Sequence, residues 1–497
     1  MDMPGGNSLF SSALSFFGPN LTASVTNGSI SEVRLNDMVL RIMTPYFHLN
    51  QENYPTVDPT EQTVNFFPSN PLVDQALEGP PSLRDVRANH ATLIRELGAA
   101  GTVLLKNTNN TLPLRAPKTL AVFGNDAADL TYGLYDITSN FDIGTLAVGG
   151  GSGTGRFTYI VPPLEAIKAR AARDGTLVQY ILDNTLLVSG GFGPLLGLGS
   201  IAPSPPDACI VFLKTWSTEG TDRTSLLVDY NGTEVVGKVA AACPNTVVVT
   251  HSGGLNVLPF ANNPNVKAIL AAHYPGQETG NSIVDILYGD VNPSGKLPYT
   301  IAFNQSDYNA PIQNFFFSGT TDPNLWQANF TEQLLIDYRH FDATNKAVQF
   351  EFGFGLSYTT FAISNVAAQK VITGTIGAIP PNTPIQPGGN PTLWDVLYRV
   401  TAEVKNTGGV AGATVVQLYL SMGGGAPTGT PVRVLRGFEK LSVQPGMSTT
   451  VSFDLMRRDL SFWDIVSQEW TIPSGQMTAS VGLSSRDIKG TAEFAVL

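Results

Sequence analysis

The sequence predicts an α/β domain followed by an all-β domain, and three features of its patterning carry that reading. Ala208 to Leu213 is an unbroken apolar run, the mark of a strand covered on both faces. Around it, apolar strands alternate with helix-length segments, which gives a mostly parallel sheet with helices on both faces, a three-layer αβα sandwich. From about Gly353 the helices stop, and short strands separated by Gly, Pro, Asn and Ser predict a β-sandwich. The divisions that follow are residues 1–75, an amino-terminal region with a linker; 76–310, the αβα sandwich; 311–352, a connecting segment; and 353–497, the β-sandwich.

Taken in order, Ser29-Ile30-Ser31-Glu32 reads as a capping box, and Leu35, Met38, Val39, Ile42 and Tyr46 recur at helical spacing, giving one amphipathic helix from Val33 to Phe47. One helix cannot bury its own apolar face. Residues 51–81 carry scattered prolines and read as a linker. A helix over 82–100 then leads to strands at Val103–Leu105 and Leu120–Gly124, a helix at Pro163–Arg173 and a strand at Leu177–Leu182. After the strand at Ala208 come a helix near Thr233–Ala242, strands at Thr246–His251 and Val266–Ala272, and a helix at Asn281–Tyr288. In the last domain, strands are expected at Tyr398–Lys405, Thr414–Leu420, Thr449–Leu455 and Met477–Val481.

Composition narrows the function. A formal charge of −11 with only 14% charged residues argues against a nucleic-acid partner, which would need a basic stripe. No run reaches the roughly 18 apolar residues of a membrane span, so no membrane partner is expected. Met1 to Gly5 lacks the basic and apolar segments of a signal peptide, yet N-x-S/T sequons stand at Asn20, Asn27, Asn109, Asn231, Asn304 and Asn329 and are acceptors only in a secretory setting. Cys209 and Cys243, the only cysteines, lie at or just before the starts of two strands; a disulfide and two buried thiols both fit. With five His and no metal-ligand spacing, no metal is expected.

The candidate chemistry lies in Cys209 to Arg223, CIVFLKTWSTEGTDR, where a buried strand runs into a charged, glycine-bearing loop. Open α/β sheets present such loops to ligands at the carboxyl ends of their strands, which makes Glu219 the candidate carboxylate against the ordinary reading of a solvated Glu. Asp222 and Glu278 are its rivals. Asp222 and Arg223 read as fixing the loop through a local ion pair or hydrogen bond, and Glu278, in PGQETG, as structural at a helix end. His251, in HSGG, has no adjacent nucleophile or acid in the sequence to complete a triad. Leu146 to Phe157, LAVGGGSGTGRF, matches neither phosphate-loop pattern and reads as a flexible surface loop.

STEGTDR, together with PGQETGNSIVDILYGDVNPSGKLPYT (Pro275 to Thr300) and EFGFGLSYTTF (Glu351 to Phe361), resembles the glycoside hydrolase family 3 β-glucosidases. The likeness begins at MDMPGG (Met1 to Gly6), continues through VLLKNTNNTLPL (Val103 to Leu114) and reaches VKNTGGVAGATVVQLYL (Val404 to Leu420) and LRGFEKL. It implies that Glu219 is the general acid/base, that the β-sandwich is fibronectin-type-III-like, and that the amino-terminal region is the remnant of a (β/α)8 barrel whose last helix is the one at Val33–Phe47. It also implies that the nucleophile, an Asp in an S-D-W-type segment upstream, is not among these residues; Asp2 lies inside the D-M-x-M-P-G part and is structural. Leu35, Met38, Val39 and Ile42 are then expected to be exposed or loosely docked.

Ser152 matches the Ser of the family's G-W-G-S-G loop beside the sugar, which implies substrate binding. Gly150 stands where that loop has Trp, removing a stacking platform on the leaving-group side. The function implied is a secreted, retaining β-glucosidase without cofactor, its signal peptide lost with the missing part. It releases terminal non-reducing β-D-glucose from oligosaccharides or aryl β-glucosides, and this chain alone is expected to be inactive. The competing reading is a non-catalytic carbohydrate-binding or interaction protein built from the two trailing domains.

Overall fold

The computed structural model describes residues 18–54, 87–129, 144–150, 157, 159–190, 197–219, 222–312 and 329–497. The chain divides into two units, 1–88 and 89–497. In the first, the described residues form helices α1 (Pro19–Thr26) and α2 (Glu32–His48) and a 3-10 turn at Gln51–Asn53. Helix α2 is the expected amphipathic helix, but its cap is Ser31 rather than Ser29. Ser31 is extended and its Oγ accepts from the Arg34 N–H at 3.2 Å, whereas the Ser29 N–H donates to Asn27 Oδ1 at 2.9 Å. No residue of either helix is buried. Val39 and Ile42 are exposed, and Leu35 and Met38 half-buried. Met1 to Gly6, with Asp2, lie outside the described residues.

In the second unit, α3 (His90–Gly101) leads into β1 (Val103–Asn107) and β2 (Thr119–Phe123). Then follow α4 (Pro163–Asp174), β3 (Leu177–Ile181), α5 (Asn184–Ser189), β4 (Ala208–Thr215) and α6 (Gly232–Ala242). Strands β5 (Thr246–Ser252) and β6 (Val266–Ala271) and helix α7 (Thr279–Tyr288) complete the layer structure. The sheet order is β1-β6-β5-β4-β2-β3, parallel throughout except for β1 against β6.

Successive β4 side chains point to opposite faces, so one strand serves two cores. Cys209, Val211 and Leu213 pack with Val235, Val236 and Val239 of α6, while Ala208, Ile210 and Phe212 pack with Ile167 of α4 and with Ile283 and Ile286 of α7. The expected three-layer αβα sandwich is the observed one. Because β2 lies between β3 and β4, the chain moves outward one way through β3 and the other way through β4, β5 and β6. That reversal leaves a crevice beyond the carboxyl ends of β2 and β4. Gly124, directly after β2, has φ +101°, and a Cβ on it would stand 2.1 Å from the Phe212 carbonyl oxygen of β4; only glycine fits between the two strand ends.

The sandwich that follows is antiparallel. Helix α8 (Tyr338–Ala343) precedes β7 (Phe361–Lys370), β8 (Val396–Asn406), β9 (Gly412–Ser421), β10 (Val434–Val443) and β11 (Ser448–Met456). A small hairpin of β12 (Phe462–Asp464) and β13 (Glu469–Thr471) then leads to β14 (Gln476–Gly482) and β15 (Ile488–Ala495). Sheets β10-β9-β14-β15 and β11-β8-β7 share one core, in which Val400 and Val404 meet Leu418, Val451, Met477 and Val481.

Cys209 of β4 and Cys243, the residue capping the end of α6, are joined in a disulfide with their Cα atoms 6.4 Å apart. The bridge closes a loop with a sequence separation of 34, for which the chain-entropy model gives about 3–4 kcal/mol of stabilisation. Cys209→Ala with Cys243→Ala should therefore lower the unfolding free energy by about that amount in a urea titration; an unchanged midpoint would mean the thiols are not joined in solution. On α2, Val39→Lys with Ile42→Lys should change stability by no more than about 0.5 kcal/mol, as expected of surface positions. The pair should also reduce self-association in gel filtration, since exposed apolar patches drive it.

Candidate functional site

Three loops converge beyond the sheet: the one after β4, the one after β5 and the segment 144–150. Trp216 follows β4 directly, and its N–H donates to Asp229 Oδ2 at 2.8 Å. Burial raises the Asp229 carboxyl above the ordinary range, opposed by that bond and by Arg223 and Lys214. Beside it, Thr215 Oγ1 donates to Asn256 Oδ1 at 2.9 Å. Arg223 grips the same segment from the far end of the loop, donating to Asn256 Oδ1 at 2.9 Å and to the Leu255 carbonyl at 2.8 Å. Between these anchors Glu219 sits exposed on a turn. The tether of the loop is not the expected local one: Arg223 makes it through hydrogen bonds to Leu255 and Asn256 in the loop after β5, and Asp222 is exposed.

Beneath the crevice lies a buried polar chain. His251, at the end of β5, meets Asp126 with Nδ1 to Oδ2 at 2.6 Å, and its Nε2 lies 3.1 Å from Thr279 Oγ1 at the start of α7. The acid that His251 lacks among its sequence neighbours is therefore supplied by the loop after β2. All three side chains are fully buried, so substrate does not reach them and the chain is a scaffold rather than a catalytic triad. Asp126 Oδ1 accepts the Leu146 N–H at 2.7 Å, and Lys214 donates to the Gly144 carbonyl at 2.6 Å. Farther along, the Gly150 N–H donates to the Ser217 carbonyl at 2.9 Å and the Gly276 N–H to the Ala147 carbonyl at 3.0 Å. Segment 144–150 is thus stitched to the loops that follow β4 and β6.

Glu278 is buried, with Oε1 accepting from Tyr159 at 2.5 Å and Oε2 from Asn281 at 2.6 Å. Both oxygens are engaged at the start of α7, in keeping with a structural role. Tyr274, after β6, sets its ring against Gly149 and Gly253, where a Cβ would come within 2.9 Å and 2.6 Å of it. Burial raises its phenol, opposed by Ser217, Gly253 and the Arg223 charge. Sequence reasoning missed Asp126, Asp229 and Tyr274; the first two look like ordinary loop acids, and only the sheet order brings them to the crevice. Ser152 lies outside the described residues. Among the described residues, no group of His, Cys, Asp and Glu could hold a metal ion and no helix is long and apolar enough to cross a membrane.

Two family models match the chain: the glycosyl hydrolase family 3 C-terminal domain over residues 102–358 and the fibronectin type III-like domain over residues 414–485. The chain is 59% identical over 498 residues to a probable β-glucosidase G of Emericella nidulans, covering 98% of this chain and 60% of that relative. Among solved structures, it is similar to a β-glucosidase from Chaetomella raphigera, with a TM-score of 0.84 and 38% identity over 99% of this chain and 65% of the other. A β-D-glucoside glucohydrolase from Trichoderma reesei matches with a TM-score of 0.80 and 37% identity over 100% of this chain and 65% of its own. The chain spans about 60% of the length of the curated relatives it matches.

The Asp126–His251 contact yields a direct test. Asp126→Ala leaves the His251 ring and the Leu146 N–H buried without an acceptor and should cost about 3 kcal/mol or more. Asp126→Asn, which keeps an acceptor, should cost markedly less. Urea unfolding reads both, and a loss below about 1 kcal/mol for Asp126→Ala would mean that the pair does not hold the loops together.

Proposed function

The chain belongs to glycoside hydrolase family 3, and we propose that it forms the αβα and fibronectin-type-III-like part of a secreted, retaining β-glucosidase in which Glu219 is the general acid/base. The observation that carries the reading is the place of Glu219: exposed on a turn at the strand-order reversal, on a loop anchored at both ends by Asp229, Asn256 and Leu255. A catalytic acid needs a held loop and an exposed position; the ends of this loop are held, and Glu219 is exposed. The substrates are oligosaccharides or aryl glucosides with a terminal non-reducing β-D-glucose, and Ser152 contributes to binding the sugar.

Retaining hydrolysis uses two carboxyls about 5 Å apart. In the first step one attacks the anomeric carbon while Glu219 gives its proton to the departing oxygen. In the second, Glu219 takes a proton from water as that water attacks the same carbon and frees the nucleophile. The second carboxyl is proposed to come from the part of the relatives' length that this chain does not cover, with α2 as the last helix of that barrel. Residues 76–310 and 353–497 are proposed as the two trailing domains, joined by 311–352. Two features support secretion: the disulfide, a bond that persists in oxidising compartments, and the exposure of all six sequon asparagines.

The 497-residue chain by itself is expected to show no turnover of 4-nitrophenyl β-D-glucoside. In a longer form that carries the nucleophile, Glu219→Ala should slow cellobiose hydrolysis by about 10²–10⁴-fold while glycosylation by the activated aryl glucoside survives. Azide should restore part of the aryl-glucoside rate by replacing the water that Glu219 activates. Equal losses on both substrates without rescue would move the role to another carboxylate such as Asp222. Turnover by the 497-residue chain that Glu219→Gln abolishes would put both carboxyls within these residues.

A further inference from the structure

Two aromatic rings, Trp216 and Tyr274, rise from the ends of β4 and β6 and lie against the glycine backbone of segment 144–150 and of the loop after β5. A Cβ on Gly150 would stand 2.4 Å from Trp216 Cζ2 and 2.5 Å from Thr218 Oγ1. Gly149, Gly150 and Gly253 are not among the residues with positive φ, so their backbone conformations do not call for glycine. What calls for it is space. At position 150 the missing side chain leaves room for the Trp216 indole, so the absence of a side chain there and the presence of Trp216 form one packing solution.

We propose that Trp216 is a specificity-determining residue whose indole forms the wall on which a flat leaving group, an aryl ring or a second pyranose, rests. The proposal rests on the reading of Glu219 as proton donor. A proton donor must lie within hydrogen-bond reach of the departing oxygen, so the leaving group lies against the loop that carries it. Trp216 is three residues upstream of Glu219, within roughly 10 Å along an extended backbone. It is held on both sides: its own N–H by Asp229, the Thr215 hydroxyl before it by Asn256, and the Ser217 carbonyl after it by Gly150. Trp216 is half-buried. An indole on a held backbone favours flat, apolar ring faces over flexible or strongly charged groups.

Saturation-transfer NMR on the 497-residue chain tests this without turnover. With 4-nitrophenyl β-D-glucoside as probe, the aryl protons should receive saturation, and competition should rank it about tenfold tighter than methyl β-D-glucoside. Trp216→Ala should bring the two ligands within about twofold of each other, and Trp216→Phe should restore most of the aryl preference. Circular dichroism of each variant checks the fold. Wild-type chain without aryl preference, or a preference unchanged in a folded Trp216→Ala variant, overturns the proposal. Failure of the acid/base reading shows elsewhere, as glucosidase turnover indifferent to Glu219, so the two are told apart.

Discussion

The candidate site hangs on a strand buried on both faces along all eight of its residues. A strand of that kind must lie inside a sheet with helices on either side, and here its backbone pairs with β2 and β5. Charge is then admitted chiefly where the strand stops. Lys214 is the exception, a nearly fully buried cation one residue before that end. Its ammonium donates to the Gly144 carbonyl and lies 5.4 Å from the centre of the Tyr230 ring, so a carbonyl and a π face replace water. The same contact draws segment 144–150 onto the end of β4, and the cost of burying one charge becomes the means of placing a loop.

The α/β layers were legible because burial on two faces leaves a strong mark: β4, β5 and β6 each carry a short apolar run, and their helices keep helical spacing. Strands with little burial left no such mark. β7 and β10 are mostly exposed or half-buried along their lengths, and α5 is only six residues long, capped by Asp183. The Asp126–His251 pair was invisible for another reason, a separation of 125 residues, because sequence spacing carries no information about which loops a parallel sheet brings to one end. The two cysteines could be narrowed to neighbouring strand starts, but only the register, with Cys209 opposite Thr246, brings Cys243 within bridging distance.

The β-sandwich is tied to the residues before it by more than a linker. Tyr338 of α8 lies 4.6 Å from the Phe352 ring and 6.0 Å from Tyr419 of β9, centre to centre, and its hydroxyl accepts the Leu435 N–H. Asp342 receives Arg486 at 3.1 Å and Arg433 at 3.4 Å, and the buried Gln417 donates to the carbonyls of Gly353 and Leu483. Buried aromatic and hydrogen-bonded contacts of this kind fix relative orientation. Tyr338 and Phe352, near the end of the connecting segment 311–352, thus pack into the joint between the two sandwiches.

On the proposed reading, one further constraint follows from the exposure of Glu219. A general acid must keep its proton near neutrality, and a carboxyl is lifted into that range by burial or by a like charge close by. Glu219 is exposed on a turn. A nucleophilic carboxylate arriving from outside the described residues would do three things at once: attack the sugar, cover the crevice and raise the proton affinity of its partner through its own charge. On that reading, holding the donor on one domain and the nucleophile on another would make activity conditional on their assembly. The work of the residues described here is then positional: β4 delivers the loop, Asp229 and Asn256 fix its ends, and Asp126 with His251 holds the neighbouring segment against which Trp216 rests.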